Sequence, residues 1–228
     1  MKAAVKHREK QWLTTNSYSA PSLKAQSILN KCLDNCIDVF LRLFLCPIES
    51  GVHYYEKDFD TNGVVYALAK HLGGPNSIQT RLIATRSSNQ VGEASDILEN
   101  RVDREIVSGT KAEEKSWWCV DLTENYALYL THYTLRHGYH TSNSFLFNWQ
   151  LEGSLDGESW KTLSRHDRDR SLKGNERYQT HTWAIDGDHS AFRYFRIFQT
   201  GKNSSSNWGI FLSGIELYGV LIEKGSQY

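Results

Sequence analysis

Three stretches of this chain concentrate side chains that can recognise another molecule. They are Thr85-Arg86-Ser87-Ser88-Asn89-Gln90, Arg136-His137-Gly138-Tyr139-His140-Thr141-Ser142-Asn143, and Thr200-Gly201-Lys202-Asn203-Ser204-Ser205-Ser206-Asn207-Trp208. The cations Arg86, Arg136 and Lys202 stand among the amides and hydroxyls of Ser88, Asn89 and Asn203. That mixture suits an acidic or carboxylate-bearing peptide. The rings of His137, Tyr139, His140 and Trp208 among hydroxyls also suit the face of a sugar. The plainer account is that turns need Ser and Asn for their own geometry. On that account Arg136 and Arg196 pair with carboxylates at an edge of the fold.

Other chemistry is poorly represented. His137 and His140 are three apart, a spacing seen in metal sites, but no third ligand follows at a recognisable interval, so no metal is expected. There is no Gly-rich phosphate loop, nucleophile elbow or His-Glu-x-x-His pattern. His166-Asp167-Arg168-Asp169-Arg170 reads as a solvated, charged connection. The chain is therefore expected to be no enzyme and to carry no cofactor. Asn203-Ser204-Ser205 is a formal glycosylation sequon that reads as unused.

The elements that hold these groups follow from patterning. Lys plus Arg and Asp plus Glu both number 26 in 228 residues, so the formal net charge is zero. That balance argues against nucleic acid or anionic lipid as partner. The longest apolar run, 39–48, is interrupted by Arg42 and Pro47 and is shorter than the roughly 20 residues a membrane helix needs. No apolar signal core follows the charged start. The expectation is a non-secreted, cytoplasmic chain. Residues 1–20 read as a flexible arm. Residues 21–50 read as an amphipathic helical extension: Ser19 can cap it, Pro21 fits its first turn, and Pro47 stops it. Its wide apolar face must be buried. It either packs within the chain, or mediates assembly or docking to another domain. Cys32 and Cys36 fall on that face as core thiols.

From residue 50 the period changes. Residues 64–69 read as a first strand. Further strands are expected at 81–85, 117–122, 128–137, 145–154, 160–165, 181–185, 192–199 and 210–220. Short strands separated by turn residues predict an all-β sandwich. Asp156-Gly157 is the strongest hairpin signal. Aromatics on both faces of 192–199 suggest a strand covered on both sides. Trp117, Trp118, Trp149, Trp160 and Trp183 are expected to be packing residues.

Four motifs then appear in a fixed order: Trp117-Trp118-Cys119-Val120-Asp121-Leu122, Ser154-Leu-Asp156-Gly157-Glu-Ser-Trp160, Arg193-Tyr194-Phe-Arg196-Ile197, and Glu216-Leu-Tyr-Gly219. Together they resemble the discoidin, or coagulation factor C-type, domains of the galactose-binding-like superfamily. The resemblance covers about 55–222. Thr131 to Gly138 and Gln199 to Ser205 look most like the discoidin domains of intracellular BTB proteins and HECT-type ubiquitin ligases. The implied fold is a jelly-roll β-sandwich, here with an N-terminal α-helical extension. The implied function is a non-catalytic module. It binds a protein segment through loops that the fold gathers at one end, as a recruiting or scaffolding element linked to ubiquitination. A carbohydrate-binding, lectin-like module is the alternative. Secreted relatives tie their termini with a disulfide, but no cysteine lies near Gly219, so Cys119 and the earlier cysteines read as reduced thiols. Some relatives hold a structural calcium before the aromatic-pair strand. Asp96, Glu99 and Asp103 fall there without a specific calcium spacing.

Overall fold

A computed structural model of the chain describes residues 49–70, 82–99, 107–138, 143–174 and 178–223. The expected arm (1–20) and helix (21–45), with Cys32, Cys36 and Cys46, lie outside the described residues. So do Tyr139 and His140.

Nine strands, one α-helix and one 3-10 helix follow in chain order among the described residues. The strands are β1 (Glu49–His53), β2 (Ile83–Arg86), β3 (Trp117–Asp121), β4 (Tyr126–His137), β5 (Trp149–Ser154), β6 (Lys161–His166), β7 (Thr180–Ala184), β8 (Tyr194–Gln199) and β9 (Leu212–Glu223). Helix α1 is Val64–Lys70, and the 3-10 turn is Ala94–Leu98. One sheet runs β1-β9-β4-β7 and the other β2-β3-β8-β5-β6. Every pairing is antiparallel. The result is the expected all-β sandwich.

The core forms where the alternating inner faces of the two sheets meet. Trp118, Val120, Leu151, Phe195 and Ile197 come from the five-stranded sheet. Leu128, Leu130, Tyr133, Leu135, Ile215 and Leu217 come from the other. In register, Trp118 lies opposite Ile197 and Ile197 opposite Leu151, which gives one continuous apolar row. The long β4–β9 pair shifts register between Leu130 and His132. Gly219 sits at this shift, and a Cβ there would collide with the Tyr129 carbonyl. That close approach requires glycine.

Residues 64–69 depart from expectation and form a helix instead of a strand. Val64, Val65 and Leu68 are buried at helical spacing. The Glu216 carboxyl accepts hydrogen bonds from the Val65 N–H at 2.7 Å and the Tyr66 N–H at 3.0 Å. A partner 150 residues away thus satisfies the orphan donors of the first turn and overrides the strand preference of Val-Val-Tyr. The hairpin expected at Asp156-Gly157 is present as the β5–β6 connection, six residues long (155–160). Gly157 takes the positive φ of 78°. Asp156 accepts the Glu158 and Ser159 N–H groups, both at 2.8 Å, and its carboxyl is held well below the usual range by those bonds.

The outer face of the four-stranded sheet is covered by the chain itself. Tyr55 stacks on His132 and meets Tyr218 edge-on, both at 5.3 Å. Asp58 accepts from the hydroxyls of Thr180 at 2.7 Å and Thr182 at 2.6 Å. Phe59 lies 4.5 Å under the Arg136 guanidinium. α1 closes over Glu216.

Candidate functional site

Strand order gathers the loops. The end of β2, the start of β3, the end of β8 and the start of β5 lie together in one sheet. The end of β4 pairs with the start of β9 in the other. The chain passing from β8 to β9 joins these two edges. Segments 86–92, 107–116, 143–148 and 200–211 therefore meet at one end of the sandwich.

Hydrogen bonds fix them there. Gly109 bridges Val91 on one side and Phe211 on the other. The Lys111 N–H donates to Ser88 Oγ at 3.1 Å. The Ser144 N–H donates to Ser205 Oγ at 3.0 Å, and the Phe145 N–H to Ser204 Oγ at 3.0 Å. Asn148 Nδ2 donates to the Lys202 carbonyl at 2.7 Å. These serines had no distinguishing signal in the sequence, because a Ser-rich turn looks the same whether or not it joins two loops.

Much of the recognition set is turned inward. Arg86 is 9% exposed and lies over the Trp118 ring. It donates to Asn89 Oδ1 at 2.7 Å, to the Val91 carbonyl at 3.0 Å and to the Gly92 carbonyl. Arg136 is 3% exposed. It donates to Ser213 Oγ at 3.1 Å, the Ser213 carbonyl at 2.8 Å and the Glu99 carbonyl at 3.1 Å. Burial pushes its pKa down to about 10. His137 is buried, with Nε2 3.2 Å from the Asn143 carbonyl. Asn203 is buried and accepts the Ser205 and Asn207 N–H groups at 3.0 and 3.2 Å, shaping its own loop. Buried guanidiniums cannot meet a carboxylate ligand, so the acidic-peptide chemistry expected of Arg86 and Arg136 loses its physical basis. Their donors are occupied in holding loops.

What this end presents outward is Asn89, Val91, Lys111, Asn143, Lys202 and the Ser205 to Asn207 tip, with Trp208 half-exposed beside them. Asn89 and Lys202 remain reachable. Ser88 is half-buried, with its oxygen on the Lys111 amide.

The remaining candidates resolve as structure. Arg196 does pair with a carboxylate, Glu152 at 2.6 Å, but across the interior strands β8 and β5 and not at an edge. Arg193 grips Asp121 bidentately at 2.6 and 2.8 Å. Asp96 serves a capping box with Glu93 at the 3-10 turn and accepts from Ser108 Oγ. Trp118 and Trp149 are fully buried, whereas Trp117, Trp160 and Trp183 are only half-buried. Cys119 is a free, buried thiol that burial pushes up to about 12.

The 166–170 connection is not simply solvated. His166 stacks on Trp149 at 4.3 Å, and its Nδ1 is 2.8 Å from Asp169. Its Nε2 is 2.8 Å from the Tyr133 hydroxyl and 3.1 Å from Ser164 Oγ. Trp183 Nε1 also donates to Asp169 at 3.0 Å. Serine, histidine and aspartate thus line up as in an acyl-transfer triad. The arrangement is a packed one, because Nε2 is shared with buried Tyr133 and aromatic rings close the imidazole face and edges. Burial lowers the His166 pKa, opposed by its bond to Asp169.

The profile of the F5/8 type C domain matches residues 83–212. The E3 ubiquitin-protein ligase Ufd4 of Drosophila melanogaster is 36% identical over 177 residues, covering 72% of this chain and 6% of that protein. A BTB/POZ domain-containing protein of Arabidopsis thaliana is 29% identical over 178 residues, covering 72% of this chain and 22% of that protein. The chain thus spans a small part of the length of these relatives. A solved structure, CpGH89CBM32-5 from Clostridium perfringens in complex with GalNAc-beta-1,3-galactose, is similar at 14% identity and a TM-score of 0.48, covering 61% of this chain and 96% of that one.

Proposed function

The chain belongs to the F5/8 type C (discoidin) domain family, and from that premise we propose that it is a non-catalytic module that binds a protein segment through the loops at one end of its sandwich. The observation that carries this reading is the way that end is built. Arg86 and Asn203 are spent on shaping their own loops, and Ser204 and Ser205 on fixing loop 200–208 to loop 143–148. A rigid platform of exposed tips remains, and preorganised loops bind with less ordering cost. His166 is half-buried and tied to Asp169, Tyr133 and Ser164, and this packed arrangement supports a binding role over catalysis.

The wider role we propose is recruitment or scaffolding linked to ubiquitination. It is supported by the similarity to a protein named as an E3 ubiquitin-protein ligase and to a BTB/POZ protein. Since Arg86 and Arg136 face inward, the partner segment need not be acidic. Contact falls to Lys202, Asn89, Trp208 and the Ser205–Asn207 tip.

Affinity purification from cytosol with wild type and a Lys202→Ala/Trp208→Ala variant tests this. Partners lost from a variant with unchanged melting temperature support the reading. An unchanged set of partners refutes the loop site. Saturable binding to a glycan array, lost in the same variant, replaces it with a lectin-like function.

A further inference from the structure

At the loop end, one side-chain amide joins two segments that each carry an exposed cation. Asn148 Nδ2 donates to the Lys202 carbonyl at 2.7 Å, and Asn148 Oδ1 accepts the Arg168 N–H at 2.9 Å. Backbone bonds reinforce both ties. The Thr200 N–H donates to the Asn148 carbonyl at 3.1 Å, and the Asp169 N–H to the Phe147 carbonyl at 2.9 Å. Gly201 permits the approach, because a Cβ there would lie 3.0 Å from that of Asn148. The 166–170 turn therefore belongs to the same end of the sandwich as the 200–208 loop.

Arg168 is held in an uncommon backbone conformation. Its φ is 56°, in the left-handed region that a residue with a Cβ enters at a cost. The bond from its N–H to Asn148 fixes that conformation, and the side chain is exposed. Lys202, on the other side of Asn148, is exposed as well.

Charge around Asn148 is one-sided. Arg168, Arg170, Lys173 and Lys202 are exposed and make no ion pair with a described residue. The carboxylates of the turn are engaged: Asp167 with Arg165 at 3.0 Å, and Asp169 with His166 at 2.8 Å. Asp169 also accepts from the Trp183 indole and the Ser171 N–H. Segments 143–148 and 200–208 hold no carboxylate. The 111–115 segment is neutral, with two lysines against two glutamates.

We propose that this end takes an acidic segment of a partner protein, a run of Asp and Glu side chains, with Arg168 and Lys202 as its principal contacts. This partner class rests on loop-end binding as proposed above. The buried Arg86 and Arg136 are closed to a carboxylate, whereas Arg168 and Lys202 are open to one. A guanidinium presents paired donors to a carboxylate, and the lysine adds a point charge. Asn148 fixes both backbones before a ligand arrives, which lowers the ordering cost of binding. Nucleic acid fits less well, because the chain has zero formal net charge and a few cations do not make a long basic track.

The test is fluorescence anisotropy of labelled octaglutamate titrated with the full chain. The expected result is saturable binding that weakens about tenfold between about 50 mM and about 300 mM salt. Arg168→Gly removes the cation at a φ that glycine adopts freely, so the fold is kept. It should weaken binding about fivefold, as should Lys202→Ala. Arg168→Lys keeps the charge and should stay within about twofold of wild type. Lys161→Ala, at the opposite end of β6, should change nothing. No binding at millimolar peptide, binding indifferent to salt, or an equal loss in Lys161→Ala overturns the acidic partner. So does binding that survives Arg168→Gly and Lys202→Ala combined, or tighter binding of oligothymidylate than of octaglutamate. Partners lost from Lys202→Ala/Trp208→Ala while octaglutamate does not bind overturn the acidic partner and leave the loop site standing.

Discussion

The outer face of the four-stranded sheet is closed by residues 54–70, which bring a carboxylate to two threonines, a stacked tyrosine and a short helix. The outer face of the five-stranded sheet is built from cross-strand pairs that satisfy one another within the sheet. The first face is therefore part of the folding unit. The second is left uncovered by the described residues. Polar groups serve opposite ends in the two places: on the covered face they fasten a distant segment, and on the open face they neutralise one another, with Arg196 and Arg193 lying on the Trp160 and Tyr194 rings.

The largest effect should come from uncoupling the covered face. Glu216→Ala leaves the Val65, Tyr66 and Leu217 N–H groups without their acceptor in a buried site. The cost should be about 3 kcal/mol. At this chain length that lowers the melting temperature by roughly 10 °C. A shift under about 2 °C would mean α1 adds little. The same carboxyl gives a pH signature. Burial pushes its pKa up to about 8, against three N–H donors that pull it down. The folded chain then holds this proton more tightly than the unfolded chain does. Its contribution is complete below the ordinary carboxyl range and is lost as pH rises through 8. Melting temperatures measured from pH 5 to pH 9 should fall for wild type and fall less for Glu216→Gln. Parallel curves would contradict that protonation.

On the open face the effects should be smaller. Arg196→Ala removes the cation from Glu152, which is 6% exposed and keeps the Gln150 amide, and should cost about 2 kcal/mol. Urea titration would register it as a lower midpoint. Cys119 sharpens the contrast at a finer scale, because it lines a cleft on this face yet is buried and held protonated. Peptide-resolved alkylation at pH 7.5 should label it far more slowly in the native chain than in urea. Equal rates would show that the cleft floor is open. Tyr194→Phe should change stability by less than about 0.5 kcal/mol, since its hydroxyl bonds to no described residue.

Sequence reading succeeded where a local pattern and a long-range result coincide. Alternation in Trp117–Asp121 and Tyr194–Gln199 marks strands, and the buried sets Trp118, Val120 and Phe195, Ile197 follow from it. It failed where a distant partner decides. Val64-Val65-Tyr66 has strand composition, but the Glu216 carboxyl 150 residues away makes it a helix start. Arg86 and Arg136 look like ligand-binding cations because nothing local shows that carbonyls surround them. His166 and Asp169 look solvated because Trp149 and Tyr133, which bury them, lie on other strands. The open face was partly legible: aromatics alternate on both sides of β8, and reading both sides as covered overlooked that Tyr194, Arg196 and Phe198 stay half-exposed.

The most direct test of loop-end recognition is hydrogen exchange on the chain alone and bound to a partner recovered by affinity purification. Added protection at 87–92, 143–148 and 200–208 is the predicted result. Protection confined to strands β3 and β8, with those loops unchanged, would contradict it.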